Sequence, residues 1–581
     1  MRRNRHHGHP RRHPYRVPLF LTALAFLIGL QAATQHCAHA FDHDPILGMR
    51  LGTFYPPWAV LLWARYWYPL FPGLFHSATY VGCIFFSAAS ALSLRYCPRH
   101  EDTDTLHGSA RWASRWEILR LGLLRRDRGD SVVVGAIRGL FGGLRLLRHA
   151  GLQHVLCFAP TGAGKGVGLV LPTLLSWRQS AFVTDLKGEL YQLTAGYRRA
   201  LGQRVYRFAP GEAHSARWNP LNEIRKDTNQ EMGDVQLVAL LLVDPDGKGL
   251  HNHWQKTAWM LLTGLILYVL HVDDGPCTLQ RVDTLLSDPS RPIKDLWQEM
   301  LESQSPLIAS FARDMLNRPD EEAGSVLSTA QTCLALYRDP VVAANTERCD
   351  FFLRELMHHP KAHTLYLVTQ PPDKDRLKPL VRLLLAMTVR TLSKDLQFQG
   401  GRPTRNYRHT LLLMLDEFPS LGKVAILEES LAFLRGYGIK AYLICQDTVQ
   451  LEAAYGKHEA ITSNCHVQVC YAPNRPETAR RISNLLGTTT VHYRSGARDR
   501  HGQQSSSTSH WTQRPLLTPD EVQTLPGPRK DFRDRITRPG DLIVMMAGAR
   551  PIYGKQPLYF RSRTLKRRAA LPADPPKRAH Y

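Results

Sequence analysis

Two long apolar stretches open the chain, and short apolar runs alternating with helical patterns fill the rest. Val17 to Ala33 is nearly all apolar and follows an arginine-rich head. With its flanks it reaches the roughly 20 residues needed to cross a bilayer. A second run, Ser77 to Leu94, ends at Arg95. The pattern predicts membrane spans over about 17–34 and 76–95. Between them Trp58 to Phe75 is aromatic but broken by Arg65, Pro69 and Pro72, and reads as interfacial, because Trp and Tyr favour the headgroup region.

Charge orients this pair. Arg2, Arg3, Arg5, Arg11, Arg12 and Arg16 precede the first run, and Arg95 and Arg99 follow the second. The connecting segment sets Asp42 and Asp44 against Arg50 and Arg65. Both ends therefore face the cytoplasm, with a short outside loop. A cleavable signal peptide ending near Ala38-His39-Ala40 is the competing reading, and it leaves the large domain on the same side.

Beyond Leu106 the pattern becomes that of an α/β domain. Val132–Val134, Val155–Phe158, Ala181–Thr184 and Arg204–Phe208 are strand candidates. From about 222 to 340 helical spacing takes over, in Val235–Val243, Trp254–His271 and Ile293–Leu301. Phe351–Leu356, Thr364–Thr369 and Leu411–Leu415 return to the sheet, with Leu377–Leu396 helical. The expected fold is thus a mostly parallel sheet assembled from 106–221 and 341–565 around an all-α insertion. Gly496 to Thr512 is polar, Ser-rich and aperiodic, and is expected to be a flexible loop; 566–581 is expected to be a disordered basic tail.

Composition changes this picture little. The 581 residues are 44% hydrophobic and 21% charged, an ordinary globular balance. The net charge of +24 points to a polyanionic partner, although terminal arginine clusters supply part of it. Ten cysteines lack any C-x-x-C pair or ligand spacing, so buried thiols are expected at Cys157, Cys445 and Cys470.

The candidate chemistry lies at strand ends. After Val155–Phe158 comes A-P-T-G-A-G-K-G (159–166), then an apolar, helix-compatible run to Trp177. Strand, glycine-rich turn and helix are the context a phosphate-binding loop requires. Thr161, Gly162, Ala163, Gly164, Lys165, Gly166 and Val167 are the candidate nucleotide-binding residues: backbone N–H groups turn inward and Lys165 supplies a positive point charge. Two departures stand out. Ala159 replaces the first glycine of G-x-x-x-x-G-K-[ST], and Gly166 replaces the hydroxyl residue that ligates magnesium. Taken alone, the stretch could be a chance glycine-rich turn.

A second acidic motif strengthens it. Thr410 to Leu415 is apolar and ends in Asp416-Glu417. Asp416 suits magnesium, directly or through water, and Glu417 suits the proton of an attacking water. Ala441–Cys445 ends in Gln446, either a γ-phosphate sensor or a loop residue without a role. Arg435 closes a helical stretch, as a simple cap or as a finger reaching a neighbouring subunit.

Many blocks, in order, resemble the TraG-type coupling proteins of type IV secretion. They include A-P-T-G-A-G-K-G-V-G (159–168), T-D-L-K-G-E-L-Y (184–191), W-N-P-L (218–221), L-D-E-F-P-S-L-G-K (415–423), R-G-Y-G (435–438) and I-C-Q-D (444–447). The resemblance runs from Leu106 to about Arg561. It implies a RecA-like P-loop NTPase fold with two amino-terminal spans, and ATP and Mg2+ as ligands. It also implies a bacterial inner-membrane location, single-stranded DNA with its relaxase as cargo, type IV secretion channel components as partners, and a homo-hexamer. By that resemblance Lys165, Asp416, Glu417, Arg435 and Gln446 match the family's P-loop lysine, acidic pair, trans-acting arginine and sensor glutamine. The family often has glycine after the P-loop lysine, and Asp185 and Lys187 match a block lying near the nucleotide. A nucleotide-gated receptor for protein cargo, and a double-stranded DNA pump of the chromosome-segregation type, are the alternatives.

Overall fold

The computed structural model describes residues 16–50, 52–95, 107–139, 142–394, 398–399, 402–403, 406–498 and 504–574. Two compact units divide the chain at Leu106/His107.

In the amino-terminal unit, helix Arg16–Ala40 pairs with helix Pro72–Arg95. Small residues let the backbones approach: a Cβ on Gly29 would lie 2.6 Å from the Gly82 carbonyl oxygen. The stretch read as interfacial holds a short helix, Ala59–Trp67, which buries Ala59, Val60 and Trp63. Thr34 Oγ1 donates to the Leu30 and Pro57 carbonyls, and Trp63 Nε1 to the Leu47 carbonyl. Among the described residues one helix is long and apolar enough to cross a membrane, over Pro72–Ala91. The first expected span begins in residues whose side chains lie outside the described set, so the two-span expectation is met by one candidate span.

The large unit is built on an eleven-stranded sheet. Its strands are β1 Val132–Arg138, β2 Leu144–His149, β3 Val155–Phe158, β4 Ser180–Asp185, β5 Arg204–Phe208, β6 His363–Val368, β7 Leu411–Leu415, β8 Ile439–Cys445 and β9 Val467–Cys470. After the hairpin strands β10 Thr488–Arg498 and β11 Gln504–Pro515 come β12 Asp541–Met546 and β13 Ile552–Lys555, which rejoin it. The order is β2-β1-β13-β12-β9-β3-β8-β7-β4-β6-β5. The seven strands from β9 to β5 pair in parallel, and the other four are antiparallel.

The parallel strands are apolar throughout because both faces are covered. On one face Leu156, Phe182, Leu413 and Leu443 join a core that continues into the helical insertion through Val235, Leu262 and Leu265. On the other, Cys157, Val183, Met414 and Ile444 pack with Leu169, Leu174 and Ala195. Helices fill the chain between β5 and β6, from Glu231–Val243 to Pro340–Asn345, and share the sheet's core rather than forming their own.

Several expectations change. Phe351–Leu356 is a turn entering helix Glu355–His358, because the Leu353 N–H donates to the Glu223 carboxylate at 2.9 Å instead of to a strand. The apolar run after Lys165 is helical as expected, though it begins as π-helix, Gly166–Val170, before passing into α-helix, Leu171–Leu174. Gly496–Thr512 is not a loop: β10 and β11 form a long antiparallel hairpin, with 499–503 outside the described residues. The tail expected to be disordered from 566 starts inside helix Arg563–Ala569, whose Leu565 and Ala569 are buried; Arg568 donates to the Leu175 carbonyl. Residues 575–581 lie outside the described set.

Candidate nucleotide site

The site stands at the carboxyl edge of the parallel strands. The register β3–β8–β7 places the ends of three strands side by side. β3 leads into the phosphate-binding loop, which is tied down where it starts: the Ala159 N–H donates to the Cys445 carbonyl at 2.9 Å. Gly162 and Gly164 have φ of 77° and 81°, a left-handed backbone that a side chain would strain. Gly168 N–H donates to the Gly164 carbonyl at 2.9 Å, continuing the turn into the helix.

Lys165 Nζ lies 2.9 Å from Asp416 Oδ1 and 2.9 Å from Glu417 Oε1. Gln446, at the end of the strand between them, donates from Nε2 to Glu417 Oε1 at 3.4 Å. Four residues singled out in the sequence thus meet in one half-buried cluster. Burial disfavours the Lys165 charge, but the two carboxylates outweigh it and hold its pKa above the ordinary lysine value. Burial pushes the Asp416 carboxyl up despite Lys165. For Glu417 burial acts the same way, yet Lys165 prevails and holds it below the usual range. Glu417 has φ 51°, a left-handed conformation that costs roughly 1–3 kcal/mol in a non-glycine residue and clusters at functional sites.

Thr161, Ala163, Gly166 and Val167 line the same loop. Asp185 is spent on structure: its carboxylate accepts the N–H groups of Lys187, Gly188 and Tyr191 at 3.3, 2.8 and 2.9 Å and so orders the turn into helix Glu189–Ala200. Lys187 is exposed.

Sequence reasoning missed three contributors. Gln556, fully buried, donates from Nε2 to the Ala163 carbonyl at 2.7 Å and accepts from the Gly540 N–H at 3.3 Å, holding the loop from behind. A short ribbon, Arg529–Lys530 with Ile536–Arg538, lies over the loop: Cβ atoms on Gly162 and Gly164 would be 3.5 Å from Lys530 Nζ and 2.7 Å from Ile536 Cδ1. Glu189 has an Oε1 that would lie 3.8 Å from a Cβ on Gly166. Gln556 and Lys530 carry no local motif that could have marked them, whereas Glu189 belongs to the quoted T-D-L-K-G-E-L-Y block.

Arg435 is not part of this cluster. It follows helix Ala425–Leu434 and precedes β8, whereas Gln446 follows β8. A seven-residue strand separates them by about 20 Å. Arg435 is exposed and lines a cavity of about 690 Å³ at the amino edge of the sheet, with His154, Lys457, His466 and Arg481. Among the described residues its guanidinium makes no hydrogen bond or ion pair, so it does not cap its helix through a carbonyl. His154 there is buried and neutral, its ring bonded to the Leu431 carbonyl at 2.9 Å and accepting the Ala441 N–H at 3.0 Å; burial pushes its pKa down to about 4.

The donors around Lys165 are carboxylate oxygens alone, a set that fits a hard cation such as magnesium, with Asp416 the residue to hold it. Position 166, after the loop lysine, is glycine and offers no hydroxyl to it.

A family model for the type IV secretory system conjugative DNA transfer proteins matches residues 110–579. A conjugal transfer protein TraG of Escherichia coli is 49% identical over 595 residues, covering 96% of this chain and 93% of the relative. Protein VirD4 of Rhizobium radiobacter is 30% identical over 486 residues, covering 79% and 65%. Among solved structures, the conjugative coupling protein TrwB lacking its first 70 residues shares the fold, with a TM-score of 0.57 at 20% identity over 77% of this chain and 92% of that one. TrwB in complex with ADP and Mg2+ matches with a TM-score of 0.55 at 20% identity, over 77% and 93%. The P-loop cluster and these matches agree: the chain belongs to the coupling-protein family of type IV secretion, the NTPase-type proteins of conjugative DNA transfer.

Proposed function

We propose that this protein hydrolyses ATP with magnesium at the Lys165–Asp416–Glu417 cluster and uses the cycle to drive single-stranded DNA, with its relaxase, into a type IV secretion channel. The observation that carries the reading is the meeting of Lys165, Asp416, Glu417 and Gln446 at three adjacent strand ends. On binding ATP, Lys165 exchanges its carboxylate partners for the β- and γ-phosphates, which frees Asp416 and Glu417. Bound magnesium would neutralise charge on the phosphate oxygens, with Asp416 holding it directly or through water. Glu417, released from Lys165, accepts the proton of the attacking water. Gln446, hydrogen-bonded to Glu417, acts as the γ-phosphate sensor.

Arg435 acts on the nucleotide of the next subunit in a homo-hexamer. Its distance from its own Lys165 and its exposed, unpaired guanidinium support action in trans. Two amino-terminal helices anchor the bulk of the chain on the cytoplasmic side of the inner membrane, a reading supported by the length and apolar composition of Pro72–Ala91. The net charge of +24 favours a nucleic-acid cargo, since phosphate neutralisation dominates non-specific affinity.

The test is the ATPase rate of the detergent-solubilised full chain, with and without single-stranded DNA, at several salt concentrations. The rate should rise with DNA, and the stimulation should fade as salt increases. Glu417→Gln should bind ATP and hydrolyse it about 10²–10⁴-fold more slowly. Hydrolysis at the unmutated rate in that variant would move the base elsewhere.

A further inference from the structure

Position 166 is where a P-loop places the hydroxyl that helps hold magnesium, and here it is glycine. Nothing in the backbone requires glycine at this point. Unlike Gly162 and Gly164, Gly166 has no left-handed φ. Packing does not require it either: the nearest atom to a Cβ built there is 3.8 Å away, an ordinary contact. That atom is Glu189 Oε1.

Glu189 reaches this point from a different strand. β4 pairs with β7, the strand that delivers Asp416 and Glu417, and the turn ordered by Asp185 sets Glu189 at the start of the next helix. Thr184, at the end of β4, donates to the Asp416 carbonyl at 3.3 Å and ties the two strand ends together. Among the described residues no hydrogen bond or ion pair engages the Glu189 carboxylate, which is exposed. An acidic residue in a first helical turn has a purely structural explanation, attraction to the helix dipole. That explanation accounts for the residue type but not for the open position opposite it.

Resting on the nucleotide site proposed above, we propose that the Glu189 carboxylate takes the place of the missing P-loop hydroxyl toward magnesium, directly or through one of the ion's waters. Magnesium keeps several waters and is held by one or two carboxylates plus phosphates, so an oxygen at this distance from the loop suits it. The nucleotide itself is gripped by the loop's N–H groups and Lys165, so Glu189 bears on the metal and not on the metal-free nucleotide.

The experiment measures ADP affinity of the detergent-solubilised full chain by calorimetry, once in EDTA and once across a magnesium titration. Glu189→Ala and Glu189→Gln should bind ADP in EDTA as the unmutated chain does, and should need about 10-fold or more magnesium for half-effect. Adding Gly166→Ser to Glu189→Ala should restore the magnesium requirement, because the hydroxyl returns. An unchanged magnesium requirement in both Glu189 variants overturns the proposal, as does a lowered Tm with no change in that requirement, the mark of a helix-dipole role. Lys165→Ala separates the two levels: loss of ADP binding there keeps the nucleotide site while Glu189 fails, and unaffected ADP binding removes the site itself.

Discussion

The two edges of the parallel sheet are built in opposite ways. At the carboxyl edge one cation, Lys165, meets two carboxylates and an amide within a single chain. At the amino edge Arg435 stands exposed on a broad cavity, close to Lys457 and Arg481, and finds no partner among the described residues. Arg481 is only loosely paired there, 3.8 Å from Glu452 and 3.9 Å from Glu459. The first edge is electrostatically closed until phosphates arrive. The second presents positive charge outward and is suited to a phosphate-bearing surface that another molecule brings. A sheet about 20 Å deep keeps the two apart.

The sharpest way to break this contrast is to remove its cation. Lys165→Ala leaves Asp416 and Glu417 side by side without a counter-charge, and should abolish ATP turnover in the purified protein. Retained turnover would dissolve the carboxyl-edge site. Next comes the opposite edge. Arg435→Ala should bind ATP nearly normally and hydrolyse it about 10³–10⁵-fold more slowly. Mixing it with Lys165→Ala should return some activity, because mixed rings contain interfaces that join an intact loop to an intact arginine. No recovery in rings shown to be mixed counts against action between subunits.

Two smaller effects sharpen the comparison. Gln556→Ala strips the half-buried Ala163 carbonyl of its donor and should cost about 0.5–1.5 kcal/mol, read as a lower Tm in calorimetry. The amino edge should respond to pH instead. His154 has a folded pKa of about 4 against an ordinary 6.5, so in the unfolded chain it takes up a proton that the folded chain refuses. Stability should therefore fall as pH drops from about 6.5 to about 4, and denaturant titrations of His154→Gln should show a shallower fall in that window.

What was legible in the sequence was whatever chemistry is packed into a short stretch. Lys165, Asp416, Glu417 and Gln446 each follow an apolar run ending in a sheet strand, and the register of those strands brings them together. Gln556 and Lys530 act on the loop from nearly 400 residues downstream in the chain, with no local pattern around them. The β10–β11 hairpin was read as a loop for a related reason. Its strands pair with each other outside the main sheet, and its Ser- and Thr-rich stretch carries no hydrophobic alternation in the sequence. Phe351 and Leu353 misled in the opposite direction, since an apolar run that fills a core need not be a strand. The helix expected after Lys165 is present, but its first stretch is π-helix, where Gly166 and Gly168 weaken regular α-helix.

The place of β3 in the sheet has a consequence for synthesis. Its two hydrogen-bonding neighbours are β8 and β9, which lie roughly 300 residues further along the chain. At about 5–20 residues per second, a ribosome needs on the order of 15–60 s to deliver them after β3 has emerged. Throughout that interval the loop bearing Lys165 has no sheet on either side, and Asp416 has not yet been made for most of it. The apolar segments before residue 96 are by then long exposed to the targeting machinery. A nascent chain should thus present its apolar segments well before the loop bearing Lys165 gains its neighbours in the sheet.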